Sequence, residues 1–128
     1  MSVVYLDDYR KKRSDDEQRF LSFKSELEDL IEQFFDTLIV KYTKRTALKH
    51  RLNIELFVIY LECFEDVFEF SDLTKNKLNQ RFTTWREKKV WNADSDHEIN
   101  ISLKRFFKFI AIHQKKYEFE ANRILLLL

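Results

Sequence analysis

Apolar residues recur along this chain at three- and four-residue steps, and that spacing predicts helices rather than strands. Phe20, Phe23, Leu27, Leu30, Ile31, Phe34, Phe35, Leu38 and Tyr42 share one face of a helix over residues 14–44. Lys24, Glu28, Glu32 and Asp36 lie on the opposite side, which reads as a solvated face. Ser14-Asp15-Asp16-Glu17 has the capping-box form, in which the serine accepts from the third amide and the glutamate reaches back to the first. These signals set the helix start at Ser14, leave residues 1–13 as a short N-terminal arm and make 14–128 the helical domain. The chain turns between Thr43 and Thr46, with Asn53 as the alternative corner.

The next segment, NIELFVIYLECFEDVFEF, predicts a second helix ending near Phe70. Its five acids Glu55, Glu62, Glu65, Asp66 and Glu69 fall within a sector of about 100°, and the rest of the circumference is apolar apart from Asn53. Such a helix needs cover on two or three sides, which makes it the centre of a bundle with Phe57, Leu61, Phe64 and Phe68 in the core. Ser71 offers the N-cap of a third helix over 72–91. There only Leu78, Phe82 and Trp85 form an apolar stripe, flanked by Lys75, Lys77, Arg81, Arg86, Lys88 and Lys89. A second capping box at Ser95-Asp96-His97-Glu98 starts a fourth helix over 96–128. Its core stripe runs Ile99, Leu103, Phe106, Ile110, His113, Tyr117, Ala121, Ile124 and Leu128, with Phe107 and Leu125 at the flank. A second stripe of Ile101, Ile112, Phe119 and Leu126 lies on nearly the opposite side. Continuous, this helix would be about 50 Å long.

Composition reinforces the helical reading. A chain of 128 residues ordinarily carries about nine Gly and six Pro, and this one has neither. Hairpins and nucleotide-binding turns that need positive φ lose their usual residue, and glycine-dependent phosphate loops are excluded. The fold class is therefore all-α, a single-domain bundle of about four helices. The net charge of +1 hides alternating blocks. Six acids without a base between Asn53 and Leu73 are followed by six bases against Glu87 alone up to Trp91, and five bases lie in each of 41–51 and 104–116. Such blocks can pair within a bundle.

No catalytic, cofactor or metal constellation is legible. The three histidines share no helical face at ligand spacing, and the single cysteine, Cys63, reads as a small core residue in a reducing, cytoplasmic setting. The acidic edge Glu62, Glu65, Asp66 and Glu69 lacks the Glu-x-x-His pairs of a carboxylate metal bundle. The opening MSVVYLDDYRKKR lacks the order of a secretory signal, and no stretch has the ~18 apolar residues of a membrane span. Two functions follow as expectations. The first is a non-enzymatic adaptor or regulator acting through protein contacts and pairing with itself, with Ile101, Ile112, Phe119 and Leu126 as the interface or covered by Val3, Val4, Tyr5 and Leu6 of the arm. The alternative is a nucleic-acid-binding module presenting Lys77, Arg81, Trp85 and Lys88, with Trp91 nearby, to the phosphate backbone. Neither needs a small molecule or a cofactor.

Overall fold

The computed structural model describes the backbone of residues 3–63, 67–90 and 94–128, and side chains from Asp8 onward in those ranges except Tyr9. All regular structure among the described residues is helical: α1 (Val3–Lys41), α2 (Lys44–Glu62), α3 (Lys75–Leu78), α4 (Gln80–Lys89), α5 (Asp96–His113) and α6 (Glu118–Leu127), with 3-10 turns at Phe70–Asp72 and Lys115–Tyr117. No helix among them is long and apolar enough to cross a membrane.

The α1–α2 corner falls at Thr43, whose hydroxyl accepts the Thr46 amide as an N-cap. Lys24 meets Glu62 while Glu32 meets Arg51, so position rises along α1 as it falls along α2 and the two are antiparallel. Lys49 pairs with Glu98 and Asn53 donates to Ser102, which makes α2 and α5 parallel. α1 is then antiparallel to α5, as the Tyr42–Arg105, Gln33–Gln114 and Glu26–Tyr117 contacts confirm. Between these three helices sits an aromatic core in which Phe34 lies 5.4 Å from Phe106. Tyr60 stacks on Phe82 at 4.7 Å, bringing α4 onto α2. The Tyr60 hydroxyl is satisfied by the Lys77 carbonyl at 2.7 Å.

The helix boundaries depart from the sequence reading in four places, each with a local cause. Ser14 is not a start, because α1 runs through it from Val3. Arg10-Lys11-Lys12-Arg13 are good helix formers, and no residue before the serine forces the chain out of αR. The first core residue is nonetheless Phe20, and residues 10–19 are exposed apart from half-buried Asp16. α1 therefore extends well beyond α2: it has 39 residues and is about 58 Å long.

The second helix ends at Glu62 rather than near Phe70. Asp72 draws the chain round instead, its carboxylate accepting from the Phe68 and Glu69 amides at 2.9 and 3.2 Å. Phe57 and Leu61 are core residues as expected, Phe68 is half-buried, and Phe64, Glu65 and Asp66 lie outside the described residues. Cys63 is exposed rather than buried, since it caps this earlier end.

The third helix is two segments. Thr74, not Ser71, accepts the Lys77 amide, and the backbone breaks at Asn79 (φ −112°, ψ −82°). The Asn79 side chain donates to the Leu127 carbonyl at 3.1 Å. The fourth helix breaks at Gln114 (φ −121°, ψ 86°), so the long rod is absent and α6 folds back against α5. His113 is consequently exposed. Arg123 clamps the returning helix by donating to the Phe70 and Leu73 carbonyls at 2.8 and 3.0 Å while pairing with Glu120. The terminal leucine run is largely covered: Ile124 is buried, Leu125, Leu127 and Leu128 pack on the core, and Leu126 projects outward. Ser95 does cap α5, accepting the Glu98 amide.

Phe57→Ala and Phe106→Ala should each lower stability by about 3–5 kcal/mol, because both rings are fully buried. Phe119→Ala should change it by less than about 0.5 kcal/mol. Urea denaturation of the three variants checks the partition; a large loss at Phe119 would place that ring in the core.

Candidate functional site

A cluster that resembles catalytic chemistry lies where α2 and α5 run side by side. His50 Nδ1 is 2.7 Å from Ser102 Oγ, Asn53 donates to that same oxygen at 3.0 Å and to Asp94 at 3.1 Å, and Ser102 donates to the Glu98 carbonyl at 3.3 Å. A proton on Nδ1 satisfies every member: His50 and Asn53 donate to Ser102, and Ser102 donates onward. A serine beside an imidazole is the start of a nucleophile–base pair. Ser102, however, exposes none of its surface and His50 and Asn53 almost none, so no substrate atom can reach the hydroxyl. The network holds the register between α2 and α5. Burial first, then the Arg105 and Lys49 charges, push the His50 imidazole below its ordinary 6.5, partly opposed by Glu98 and Asp94. At the rim, the hydrogen bond to Glu98 raises the Lys49 pKa, and the same bond lowers that of Glu98. Tyr117 is pushed up to about 12 by burial and by its hydrogen bond to the Glu26 carboxylate.

The basic residues of the 72–91 segment divide between those engaged within the fold and those left exposed, Lys75 among the latter. Lys77 is half-buried and donates to the Asp72 carbonyl at 3.1 Å. Trp85 packs its ring 5.6 Å from Tyr60 rather than presenting it for base stacking. Arg86 is buried, lies over the Phe82 ring and pairs with Asp96. Arg81 is half-buried, while Lys88 and Lys89 are exposed. Trp91 lies outside the described residues.

The four residues of the second apolar stripe are not brought together on one helix. Ile101 is half-buried and Ile112 exposed on α5, whereas Phe119 and Leu126 project from α6 beyond the Gln114 break. The side chains of Val3, Val4, Tyr5 and Leu6 are outside the described residues.

Two surfaces emerge that the sequence reading did not single out. On α2, Leu48, Leu52 and Ile59 are exposed, Leu52 by 60% and Ile59 by 52%, with half-buried Leu56 between them. At four-, four- and three-residue steps they form one outward stripe opposite the core-facing Ile54, Phe57 and Leu61. The near-continuous hydrophobicity of this segment was visible in sequence, but reads there as evidence for central burial. The second surface lies at the end of the bundle where α1 closes onto α5. There Lys41, Arg105 and Lys108 come together from two sequence blocks. Among the described residues Lys41 and Lys108 form no ion pair, and exposed Arg105 donates to the Tyr42 hydroxyl and lies over its ring, leaving further N–H donors. Among the described residues, no group of three His, Cys, Asp or Glu side chains is placed to hold a metal ion.

The His50 network carries a pH signature. An unfolded histidine takes up a proton near 6.5, whereas the buried imidazole resists it to lower pH. The unfolded state thus binds more protons in that window, and stability should be full above pH 6.5 and fall as pH drops below it. His50→Gln should be less stable at pH 7.5 yet lose less stability between pH 7.5 and 5.5. Urea titrations at the two pH values check this, and equal losses in both proteins would remove His50 from the account.

No protein-family model, curated protein or solved structure matches this chain at a significant level. The functional reading accordingly rests on its own surfaces.

Proposed function

We propose that this protein is a non-enzymatic helical adaptor or regulator that works through protein contacts and pairs with itself through the outward face of α2. The observation that carries the reading is the stripe of Leu48, Leu52 and Ile59, exposed on a helix whose other faces pack against α1, α4 and α5. In this reading α2 is the centre of the assembly, with its fourth side covered by a second copy in the cytoplasm. Large apolar side chains aligned over three turns are unusual on a surface with no partner.

The charges beside the stripe favour a second copy over an unrelated helix. Lys44 and Glu62 are symmetric about Asn53, as are Arg51 and Glu55, and all four lie on the α1-facing flank. Leu48 and Ile59 are symmetric about nearly the same point. A twofold axis there would set two α2 helices antiparallel, Leu48 against Ile59 of the second copy, with like flanks meeting and opposite charges opposed. Lys44 forms no ion pair among the described residues and gains one in this arrangement, while Arg51, already held by Glu32 and Glu55, joins a wider network.

Sedimentation of the intact chain should therefore give twice the mass of one chain at micromolar concentration. Leu52→Glu and Ile59→Glu should each give the single-chain mass, with helicity unchanged because both side chains are exposed. Phe119→Glu should remain paired. A single-chain mass for the unmodified protein, or pairing that survives both α2 substitutions, would contradict the assignment.

A further inference from the structure

A groove of about 810 Å³ opens between the C-terminal end of α1 and the second half of α5, on a different face from the α2 stripe. Its floor is apolar, with Leu38 and Phe109 closing the core beneath it. Its two banks each raise an apolar side chain into solvent, Val40 from α1 (86% exposed) and Ile112 from α5 (67% exposed). Beside these stand Lys41 on one bank and Arg105 and Lys108 on the other, against Asp36 as the one acid in the lining. Lys41 also complements the C-terminal end of the α1 dipole. Lys108 lies within α5 and has no such role, and it holds no ion pair among the described residues.

We propose that this groove docks an acidic amphipathic helix from a partner protein. Each bank spans about eight residues, or roughly 12 Å of helix, which matches two turns of a guest helix laid along the groove. Apolar anchors at i, i+4 and i+7 would meet Val40, Phe109 and Ile112, and carboxylates flanking them would meet Lys41, Arg105 and Lys108. The chemistry separates this guest from other anions. A phosphate backbone offers nothing to Val40 and Ile112, and a membrane is flat where this surface is concave. The inference is independent of pairing through α2, since the two surfaces share no residue.

The test uses the intact chain and a fluorescein-labelled peptide of about four helical turns, with leucine at i, i+4, i+7 and i+11 and glutamate elsewhere. A second peptide carries lysine in place of every glutamate. The glutamate peptide should bind with an affinity that falls as salt is raised, and the lysine peptide should not bind. Lys41→Glu combined with Lys108→Glu should weaken binding by at least about tenfold, and Ile112→Ser by about tenfold. All three side chains are exposed, so circular dichroism should be unchanged in these variants. The proposal is overturned by absence of binding at millimolar peptide, by equal binding of the two peptides, or by indifference to the charge reversals. It is also overturned if a DNA duplex or phosphatidylserine vesicles compete with the peptide and respond to the reversals but not to Ile112→Ser.

Discussion

A chain without glycine lacks the residue that most readily takes positive φ at a corner, and the described helix ends show how it turns without one. Every helix end for which the backbone angles are described has negative φ, from −54° at Glu118 to −160° at Glu69. None uses the left-handed residue that commonly terminates helices. The reversals are held by side chains instead. Thr43, Thr74 and Ser95 accept amides at helix starts. Asp72 gathers two amides in the turn after α2, and Arg123 satisfies two carbonyls of that same turn from fifty residues away. The caps and the Asp72 turn are local, whereas the Arg123 clamp is a tertiary contact that ties the turn after α2 to the packing of α6.

That dependence explains which parts of the fold were legible. The Ser95 cap was readable because its signal is local, a side-chain oxygen three residues before an amide that needs it, whereas the first corner was placed only between Thr43 and Thr46 with Asn53 as the alternative. The core stripe of α1 was readable because nine apolar residues keep phase over about six turns. The breaks at Asn79 and Gln114 were not, because the apolar pattern continues through both and the reasons for stopping lie elsewhere. Asn79 bonds the end of α6, and Gln114 bonds Gln33 on α1. Cys63 was misread for a related reason, since a helix that ends at Glu62 turns its next residue outward.

The surfaces show the same division between local and long-range information. The basic blocks at 41–51 and 104–116 were visible as blocks, but only the antiparallel pairing of α1 with α5 places Lys41 beside Lys108. The basic 72–91 segment left internal pairing and a cationic face both open in sequence; in the fold Lys77, Arg86 and Trp85 are engaged by Asp72, Asp96 and Tyr60, while Lys75, Lys88 and Lys89 are exposed. Candidate chemistry at His50 and Ser102 was invisible in sequence because the two are 52 positions apart. Once seen, their burial makes them a structural pair. Among the described residues, exposed apolar side chains stand on the outer face of α2 and, beside basic ones, along the groove between α1 and α5.

If α2 meets α2 of a second copy antiparallel about a point near Asn53, as proposed, cysteine cross-linking reports it. In a Cys63→Ser background, Leu52→Cys sits close to the axis, whereas Ile59→Cys sits about 16 Å along the helix from its own counterpart. Under mild oxidation the account predicts a covalent pair for Leu52→Cys, none for Ile59→Cys alone, and a mixed pair when Leu48→Cys and Ile59→Cys chains are combined. Cross-linking at Ile59→Cys alone with none at Leu52→Cys would contradict the antiparallel arrangement. Failure of all three combinations would contradict the α2 interface itself.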